Sequence, residues 1–165
     1  MAFDTFLKLE GCAGESTRKG FEGQIEIYSF SFGASNPTTV GSSSGGMSAG
    51  KVSVSSFNIM KKTDISSPTI FQTCCIGDHF NTAVVTLNKA SGEKAAALAF
   101  LKYEFEEVFI ESIQWSGSAG GDDTPTESVS FAFGKVTITY TSQAKTGVAA
   151  KPAVASWDVR TVVAS

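Results

Sequence analysis

Two glycine- and serine-rich stretches of this 165-residue chain resemble motifs that hold a nucleophile or a phosphate. The first, residues 41–45 (GSSSG), matches the Gly-x-Ser-x-Gly pattern of hydrolases. In those enzymes a strand before the serine and a helix after it expose the hydroxyl, whereas here the pattern lies inside a polar loop that a strand follows. His79 is the one histidine of the chain, so a Ser–His–Asp triad would depend on it alone. The sequence therefore argues against a serine hydrolase.

The second stretch, residues 45–51 (GGMSAGK), resembles the start of a phosphate-binding P-loop. A P-loop needs Ser or Thr after its lysine to hold Mg²⁺, and a helix whose first amides bind the phosphates. Val52 follows Lys51, and a strand rather than a helix is predicted next. We therefore expect no nucleotide site.

The chain has three cysteines, Cys12, Cys74 and Cys75, which form no Cys-x-x-Cys pair. Cys75 and His79 are four residues apart, but a predicted helix end at Gly77 separates them. An odd and sparse set of cysteines is not typical of a disulfide framework, so buried free thiols are expected.

Asp122 and Asp123 lie in a glycine-rich turn that lacks the alternating oxygen ligands of a calcium loop. We interpret them as a solvated acidic turn. The sequence thus predicts no catalytic residue, no cofactor and no metal site, and therefore a protein that is not an enzyme.

One helix is predicted, over residues 66–77. Ser67 is expected to cap its first amide groups, Pro68 fits the first helical position, and Gly77 favours a left-handed stop. The pairs Ile70–Cys74 and Phe71–Cys75 are four residues apart, which predicts one apolar face. About three turns of helix are not stable alone in water, so the helix must pack against a larger element.

Alternating apolar and polar residues indicate that this larger element is a β-sheet. The phase change within residues 24–33 predicts either a bulge or a strand buried on both faces. The phase change at Gly134 predicts a bulge or bend, and Glu106–Glu107 predicts a bend. The turn signals between strands and the absence of a βαβ rhythm predict an antiparallel β-barrel or two-sheet sandwich with one flanking α-helix. The predicted strands cover residues 3–9, 24–33, 52–61, 83–89, 99–105, 109–115, 129–133, 136–140 and 155–163.

Residues 1–165 are expected to form a single domain with two irregular segments. Residues 34–50 form a polar extended loop, longer than most structureless loops in compact domains, which is either a binding loop or a flexible insertion. Residues 147–165 form a C-terminal strand or a tail.

Composition narrows the class of protein. Hydrophobic residues make up 42% of the chain, enough for a real core, and charged residues only 18%, below the roughly 25% of average domains. Such a surface fits either an assembling protein or a merely polar one.

The net charge of −3 gives no electrostatic footprint for nucleic acid or anionic membranes. No apolar run could span a membrane, and the N-terminus shows no cleavable signal peptide, so we expect a cytoplasmic protein or one exported without such a signal.

Four segments, in order along nearly the whole chain, carry a resemblance to a known family. The first two are residues 3–9 with Gly14-Glu15-Ser16, and residues 25–33. The third is residues 61–64 with Ser66-Ser67-Pro68 and Cys74 ahead of Gly77, and the fourth is residues 125–131 with Gly134-Lys135-Val136 and Tyr140. The chain resembles the Hcp family, the haemolysin-coregulated proteins of the bacterial type VI secretion system. Residues 95–97, 118–123 and the tail after Thr146 depart from the family pattern, which affects partner specificity rather than fold.

The resemblance implies a β-barrel of two sheets flanked by a helix. It also implies a homohexameric ring that stacks into a hollow tube, which a contractile sheath propels out of the cell behind a spike protein. Small effectors would then ride in the lumen, and the protein would be secreted by the type VI route.

Rings of this kind require an interface that closes by rotation and a second interface for stacking. Exposed strand edges would supply ring contacts. The low charge of residues 34–50 predicts that this loop docks the next ring, with Pro37, Thr38, Val40 and Met47 as candidate contacts. The alternative is a β-barrel module that binds a small ligand, as a lipocalin or lectin does, and a monomer with a sealed apolar cavity would favour it.

Overall fold

The computed structural model describes residues 3–39, 48–89, 99–121, 123–142 and 150–164. Val40, Met47 and the serines of residues 41–45 lie outside these ranges. The elements in chain order are β1 (Phe3–Leu9), β2 (Ile25–Ser31), β3 (Ala34–Ser35), β4 (Thr38–Thr39), β5 (Ser48–Ala49), β6 (Ser53–Val54), β7 (Phe57–Lys62), α1 (Ser67–Ile76), β8 (His79–Lys89), β9 (Ala99–Ser116), β10 (Thr126–Tyr140), β11 (Ala153–Asp158) and β12 (Val163–Ala164).

Six strands close into an antiparallel barrel in the order β10-β7-β2-β1-β8-β9, with β9 pairing back to β10. Successive side chains of a strand point to opposite faces. In β7, buried Phe57, Ile59 and Lys61 therefore alternate with exposed residues. Strands β11 and β12 extend this sheet from the edge of β10. The predicted fold, an antiparallel barrel with one flanking helix, is confirmed.

Aromatic rings fill the barrel. Phe57 lies at the centre, with ring centroids 5.0 Å from Phe105 and 5.3 Å from Phe131, and all three side chains are fully buried. Edge-on pairs such as Phe57–Phe105 and stacked pairs such as Phe57–Phe131 add to the free energy gained from burying apolar area. The barrel interior is therefore a packed core.

Several strand predictions needed correction. Residues 99–116 form one continuous strand, because the bend at Glu107 (φ 53°) is taken up without interrupting the pairing with β10. The predicted strand 52–61 is two strands, β6 and β7. The predicted last strand ends at Asp158, where the chain turns. The predicted bulge in β2 is confirmed by a register shift between Ile27 and Ser29.

Helix α1 begins at Ser67 and ends at Ile76, and Gly77 adopts the predicted left-handed stop (φ 71°). The predicted capping role of Ser67 is wrong, since Ser67 is itself the first helical residue. Its hydroxyl accepts two hydrogen bonds of 3.0 Å, from the Asp64 amide and from Lys61 Nζ. The same hydroxyl donates a hydrogen bond of 2.8 Å to Glu127 Oε2. The start of the helix is thus bound to the barrel rather than capped locally.

A buried ionic network forms this attachment. Lys61 and Glu127 have no exposed surface, and their ammonium and carboxylate groups are in direct contact. Lys61 Nζ also lies 2.9 Å from both Asp64 Oδ1 and the Lys62 carbonyl oxygen. Two opposite charges removed from water in this way depend on each other, because either alone would be a costly buried charge.

The apolar face predicted for α1 is only partly buried. Ile70 is buried and Cys74 packs against the core, but Phe71 is 49% exposed and Cys75 is exposed. A helix of 3.6 residues per turn places Phe71 about 100° from Ile70, where its ring lies 5.6 Å from that of Trp115 between centroids. The expectation of buried thiols therefore fails for Cys75.

Candidate assembly surfaces

The segment predicted as an extended polar loop contains two short β-ladders. Residues 34–35 pair with 53–54, and residues 38–39 pair with 48–49. We call residues 34–54 the arm. It continues the hairpin formed by β2 and β7, and Gly33 and Ser55 close its root through a Ser55 N–H to Gly33 carbonyl bond of 2.8 Å. Of the predicted docking residues, Pro37 and Thr38 are exposed on the arm, while Val40 and Met47 lie outside the described residues.

The outer face of β2, β7, β10 and β9 carries small polar side chains. Strand register places them in rows that cross all four strands, and the eight residues of the two central rows are uncharged. We call this surface the hydroxyl-rich face. Its rows are Ser31, Asn58, Ser130 and Ser112, and then Ser29, Met60, Ser128 and Gln114.

Charges flank these rows rather than interrupt them. Lys62 lies over the ring of Tyr28, 5.7 Å from its centroid. Glu111 accepts hydrogen bonds from the hydroxyls of Ser56 (2.6 Å) and Ser130 (3.3 Å). The two central rows themselves carry no charged side chain, and the Glu111 carboxylate approaches them at Ser130.

The same four-stranded sheet has an unfilled edge on each side among the described residues. Strand β1 pairs with β2 only as far as Ile27, so residues 28–31 continue beyond it. Strand β8 pairs with β9 from Ala99 to Phe109, so residues 110–116 continue beyond β8. Exposed strand edges are templates for pairing with another chain.

The C-terminal strands β11 and β12 form a ribbon that pairs with residues 135–140 of β10, and Arg160 adds side-chain contacts to this attachment. Arg160 Nη2 lies 2.8 Å from Asp158 Oδ2, and Nη1 lies 3.0 Å from Glu107 Oε2. Asp158 Oδ1 also accepts the backbone N–H groups of Arg160 (2.9 Å) and Thr161 (3.0 Å). The Arg160 guanidinium, together with these amides, holds the pKa of Asp158 well below its usual range.

Among the described residues, the motifs that suggested chemistry are not assembled into a site; residues 41–47 and Asp122 lie outside the described ranges. Lys51 is exposed and precedes the short strand β6, as the sequence indicated. His79 is exposed and contacts Asp78 and the ring of Phe109. In the described part of the chain, no group of three His, Cys, Asp or Glu side chains could hold a metal ion. Burial raises the pKa of the Cys12 thiol, which makes it a poor nucleophile.

Sequence reasoning missed the Lys61–Glu127 pair, although a signal was present. Lys61 is in phase with the inward-facing Phe57 and Ile59, and Glu127 is in phase with Val129. Opposite charges in core phase on two strands predict a buried ion pair. The Arg160–Glu107 contact had no comparable signal, since both side chains are partly exposed and neither is marked by a core phase. No helix among the described residues is long and apolar enough to cross a membrane.

Comparison with known proteins gives consistent results over nearly the whole chain. The family model described as "Type VI secretion system effector, Hcp" matches residues 6–140. Protein hcp1 of Pseudomonas aeruginosa is 33% identical over 161 residues, which cover 97% of both chains.

Solved structures show the same fold. One described as a type six secretion system protein is 33% identical and has a TM-score of 0.92, with 99% of this chain and 100% of that chain covered. The crystal structure of Hcp1 from Salmonella typhimurium is 26% identical and has a TM-score of 0.78, with both chains fully covered.

Proposed function

This chain belongs to the Hcp family of type VI secretion proteins, and we propose that it is a structural subunit whose homohexameric rings stack into a hollow secretion tube. The near full-length agreement in sequence and fold carries this proposal. Residues 1–165 then act as a single Hcp-like domain without catalytic activity. The tube leaves the cell by the type VI route and needs no cleavable signal peptide.

Ring closure uses the two open edges of the four-stranded sheet. A heterologous interface joins different surfaces of neighbouring subunits and closes when the rotation between them is a simple fraction of a turn. The edge of β9 at residues 110–116 and the edge of β2 at residues 28–31 lie on opposite sides of one sheet. Pairing one subunit's β9 with the next subunit's β2 would continue the sheet around the ring.

The hydroxyl-rich face would then line the lumen. Its two central rows contain no charge, and Met60 and Gln114 are their only long side chains. A surface of small hydroxyls offers many weak hydrogen bonds and no strong ionic contact. Such a wall holds small effectors loosely and releases them, which is what passage through a secretion tube requires.

The arm docks the next ring. It extends the β2–β7 hairpin of the lumen-lining sheet, and its described residues 34–38 are exposed. Pro37 and Thr38 remain the candidate contacts, together with Val40 and Met47. Deleting residues 37–47 is expected to leave rings intact and to impair their stacking, and tubes of normal length from the deletion variant would contradict this role. Sheath and spike proteins of the secretion machine are the expected external partners.

A barrel that binds a small ligand is disfavoured by the packed interior. Phe57, Phe105 and Phe131 occupy the space that a lipocalin would leave for its ligand. The decisive experiment is a mass measurement by light scattering, supported by negative-stain electron microscopy. We expect a particle of about six times the 17.3 kDa chain mass and annular images. A monomer in solution would overturn the proposed function.

A further inference from the structure

The root of the arm is connected to β9 through a short path of hydrogen bonds. The Gly33 N–H donates to Ser55 Oγ over 3.0 Å, and Ser55 Oγ donates to the Ser56 carbonyl oxygen over 3.1 Å. Ser56 Oγ in turn donates to Glu111 Oε2 over 2.6 Å. The path therefore leads from the last residue before the arm to a carboxylate on a different strand.

A bulge in β9 places Glu111 where it can receive this bond. Ser130 pairs with Ser112 and Phe131 pairs with Ile110, so Glu111 is the extra, unpaired residue. A bulge turns the local backbone and redirects a side chain. Glu111 and Ser112 consequently share the outer face, and the Glu111 carboxylate reaches Ser56 on one side and Ser130 on the other.

The arm has few other attachments that could set its direction. Among its described residues, Val54 packs against the core, whereas residues 34–38 are exposed. Its described length of six residues from Ala34 to Thr39 corresponds to about 20 Å of strand. At that length, a tilt of roughly 15° at the root moves the tip by about 5 Å, enough to lose contact with a docking surface.

We propose that Glu111 is a positioning residue for the arm: from the β9 bulge it binds the Ser56 and Ser130 hydroxyls and fixes the angle at which the arm leaves the sheet. A hydrogen bond to an ionised carboxylate is shorter and stronger than one between neutral groups, so this contact holds the root in one direction. The inference rests on the proposed function, because the correct direction is the one in which the arm meets the next ring.

The test measures the direction of the arm separately from stacking. Nitroxide labels are attached at Asn36→Cys on the arm and Lys8→Cys on the outer side of β1, both exposed positions. Cys74→Ala and Cys75→Ser remove the two accessible native thiols. Labelled subunits are diluted into unlabelled protein under conditions in which rings do not stack. Pulsed electron paramagnetic resonance then gives the distribution of distances between the two labels of one subunit.

Glu111→Ala and Ser56→Ala are each expected to broaden this distribution about twofold. The ring mass is measured for each variant, because Glu111 also lies in the proposed ring edge of residues 110–116. Glu111→Gln keeps an acceptor oxygen and is expected to restore most of the narrow distribution. Glu104→Ala removes a carboxylate of the same strand that pairs with Lys102 instead, and serves as the matched control. Ser56→Ala provides the same test if Glu111→Ala does not fold.

A distribution in Glu111→Ala and Ser56→Ala that superimposes on that of the unsubstituted protein would overturn the inference. Tube length, measured by electron microscopy on the same variants, separates this outcome from failure of the proposed function. A broadened distance distribution together with shortened tubes supports both the positioning role of Glu111 and the role of the arm in stacking. A broadened distribution with tubes of normal length supports the positioning role and contradicts the role of the arm in stacking.

Discussion

Gly50 lies directly against Pro37 across the arm. The Gly50 N–H donates to the Pro37 carbonyl oxygen over 2.7 Å, and a Cβ added at Gly50 would come within 2.5 Å of that same oxygen and 2.7 Å of the proline Cγ. The two ladders of the arm meet at this contact. Only a residue without a side chain allows the two backbones to approach so closely.

Gly50→Ala is therefore expected to separate the two sides of the arm and break the Gly50–Pro37 hydrogen bond. Loss of a bond worth about 1 kcal/mol should raise the amide exchange rate at residue 50 by roughly five- to tenfold. Hydrogen exchange followed by mass spectrometry or NMR measures this change, and tube length measures its effect on stacking.

Gly33→Ala is the matched control for that substitution. An added Cβ at Gly33 meets no atom within 4 Å, and its φ lies outside the left-handed region. We expect Gly33→Ala to form tubes of normal length with unchanged exchange at residue 50. If the two alanine variants had the same tube length and the same exchange rate at residue 50, the Gly50–Pro37 contact would have no role in the arm.

The buried ion pair gives a prediction about stability. Lys61→Met removes the ammonium and leaves the Glu127 carboxylate buried without its charged partner, which should lower the free energy of unfolding by about 3–5 kcal/mol. Urea unfolding at one fixed protein concentration measures this loss. Lys62→Met is the control, since its exposed cation–π contact with Tyr28 is worth less than about 1 kcal/mol.

The double variant Lys61→Met/Glu127→Leu tests whether the loss comes from the orphaned charge. Replacing a buried pair by apolar residues of similar size is often neutral or stabilising. The double variant is therefore expected to be more stable than Lys61→Met alone. If the free energy of unfolding of Lys61→Met lay within about 1 kcal/mol of that of the unsubstituted protein, the buried network would not be important for stability.

Local patterns were sufficient to predict the barrel strands and the helix. Pro68 and Gly77 act within one or two residues of the helix ends, and the alternation around Leu7 and Leu9 reports directly on one buried face. Ser67 was misinterpreted because its partners, Lys61 and Glu127, come from other elements. A hydroxyl at a helix start favours capping only when nothing in the tertiary structure competes for it.

The candidate assembly surfaces were predicted less completely, for a geometric reason. The rows of the hydroxyl-rich face depend on the register of four strands, and a slip of one residue would turn each side chain to the other face. Bulges at Glu111 and between Ile27 and Ser29 set that register. Composition predicted a weakly charged surface, either assembling or merely polar, but the strands that carry it could be identified only from their pairing.

The contact of Gly134 with Arg160 gives a prediction about the C-terminal ribbon. A Cβ at Gly134 would lie 2.9 Å from Glu107 Oε2 and 3.0 Å from Arg160 Cδ and Nε. These are flexible side-chain ends, so Gly134→Ala should displace the arginine from its carboxylates and cost about 1–2 kcal/mol. A double-mutant cycle with Arg160→Ala measures the coupling. Strictly additive effects of the two substitutions would show that Gly134 does not act through Arg160.

Asp158 makes the attachment of the ribbon dependent on pH. Its hydrogen bond to Arg160 lowers its folded-state pKa, so the folded state favours the ionised form. The resulting stabilisation is fully present above the ordinary aspartate pKa of about 4 and is lost as the pH falls towards the lower folded-state pKa. We expect the ribbon to loosen under acid conditions, before the barrel core unfolds.

Trp157 lies in the ribbon and reports on its release. A Trp115→Phe background leaves it as the single tryptophan, and its fluorescence is followed from about pH 6 to about pH 2. Asp158→Asn keeps an oxygen for the amides of Arg160 and Thr161 but has no charge to titrate. In this variant the ribbon should therefore be attached more weakly at neutral pH, and the Trp157 fluorescence should change less as the pH falls. Superimposable titrations of the aspartate and asparagine proteins would mean that another carboxylate, Glu106 or Glu107, controls the ribbon, because those are the other acids that Arg160 contacts.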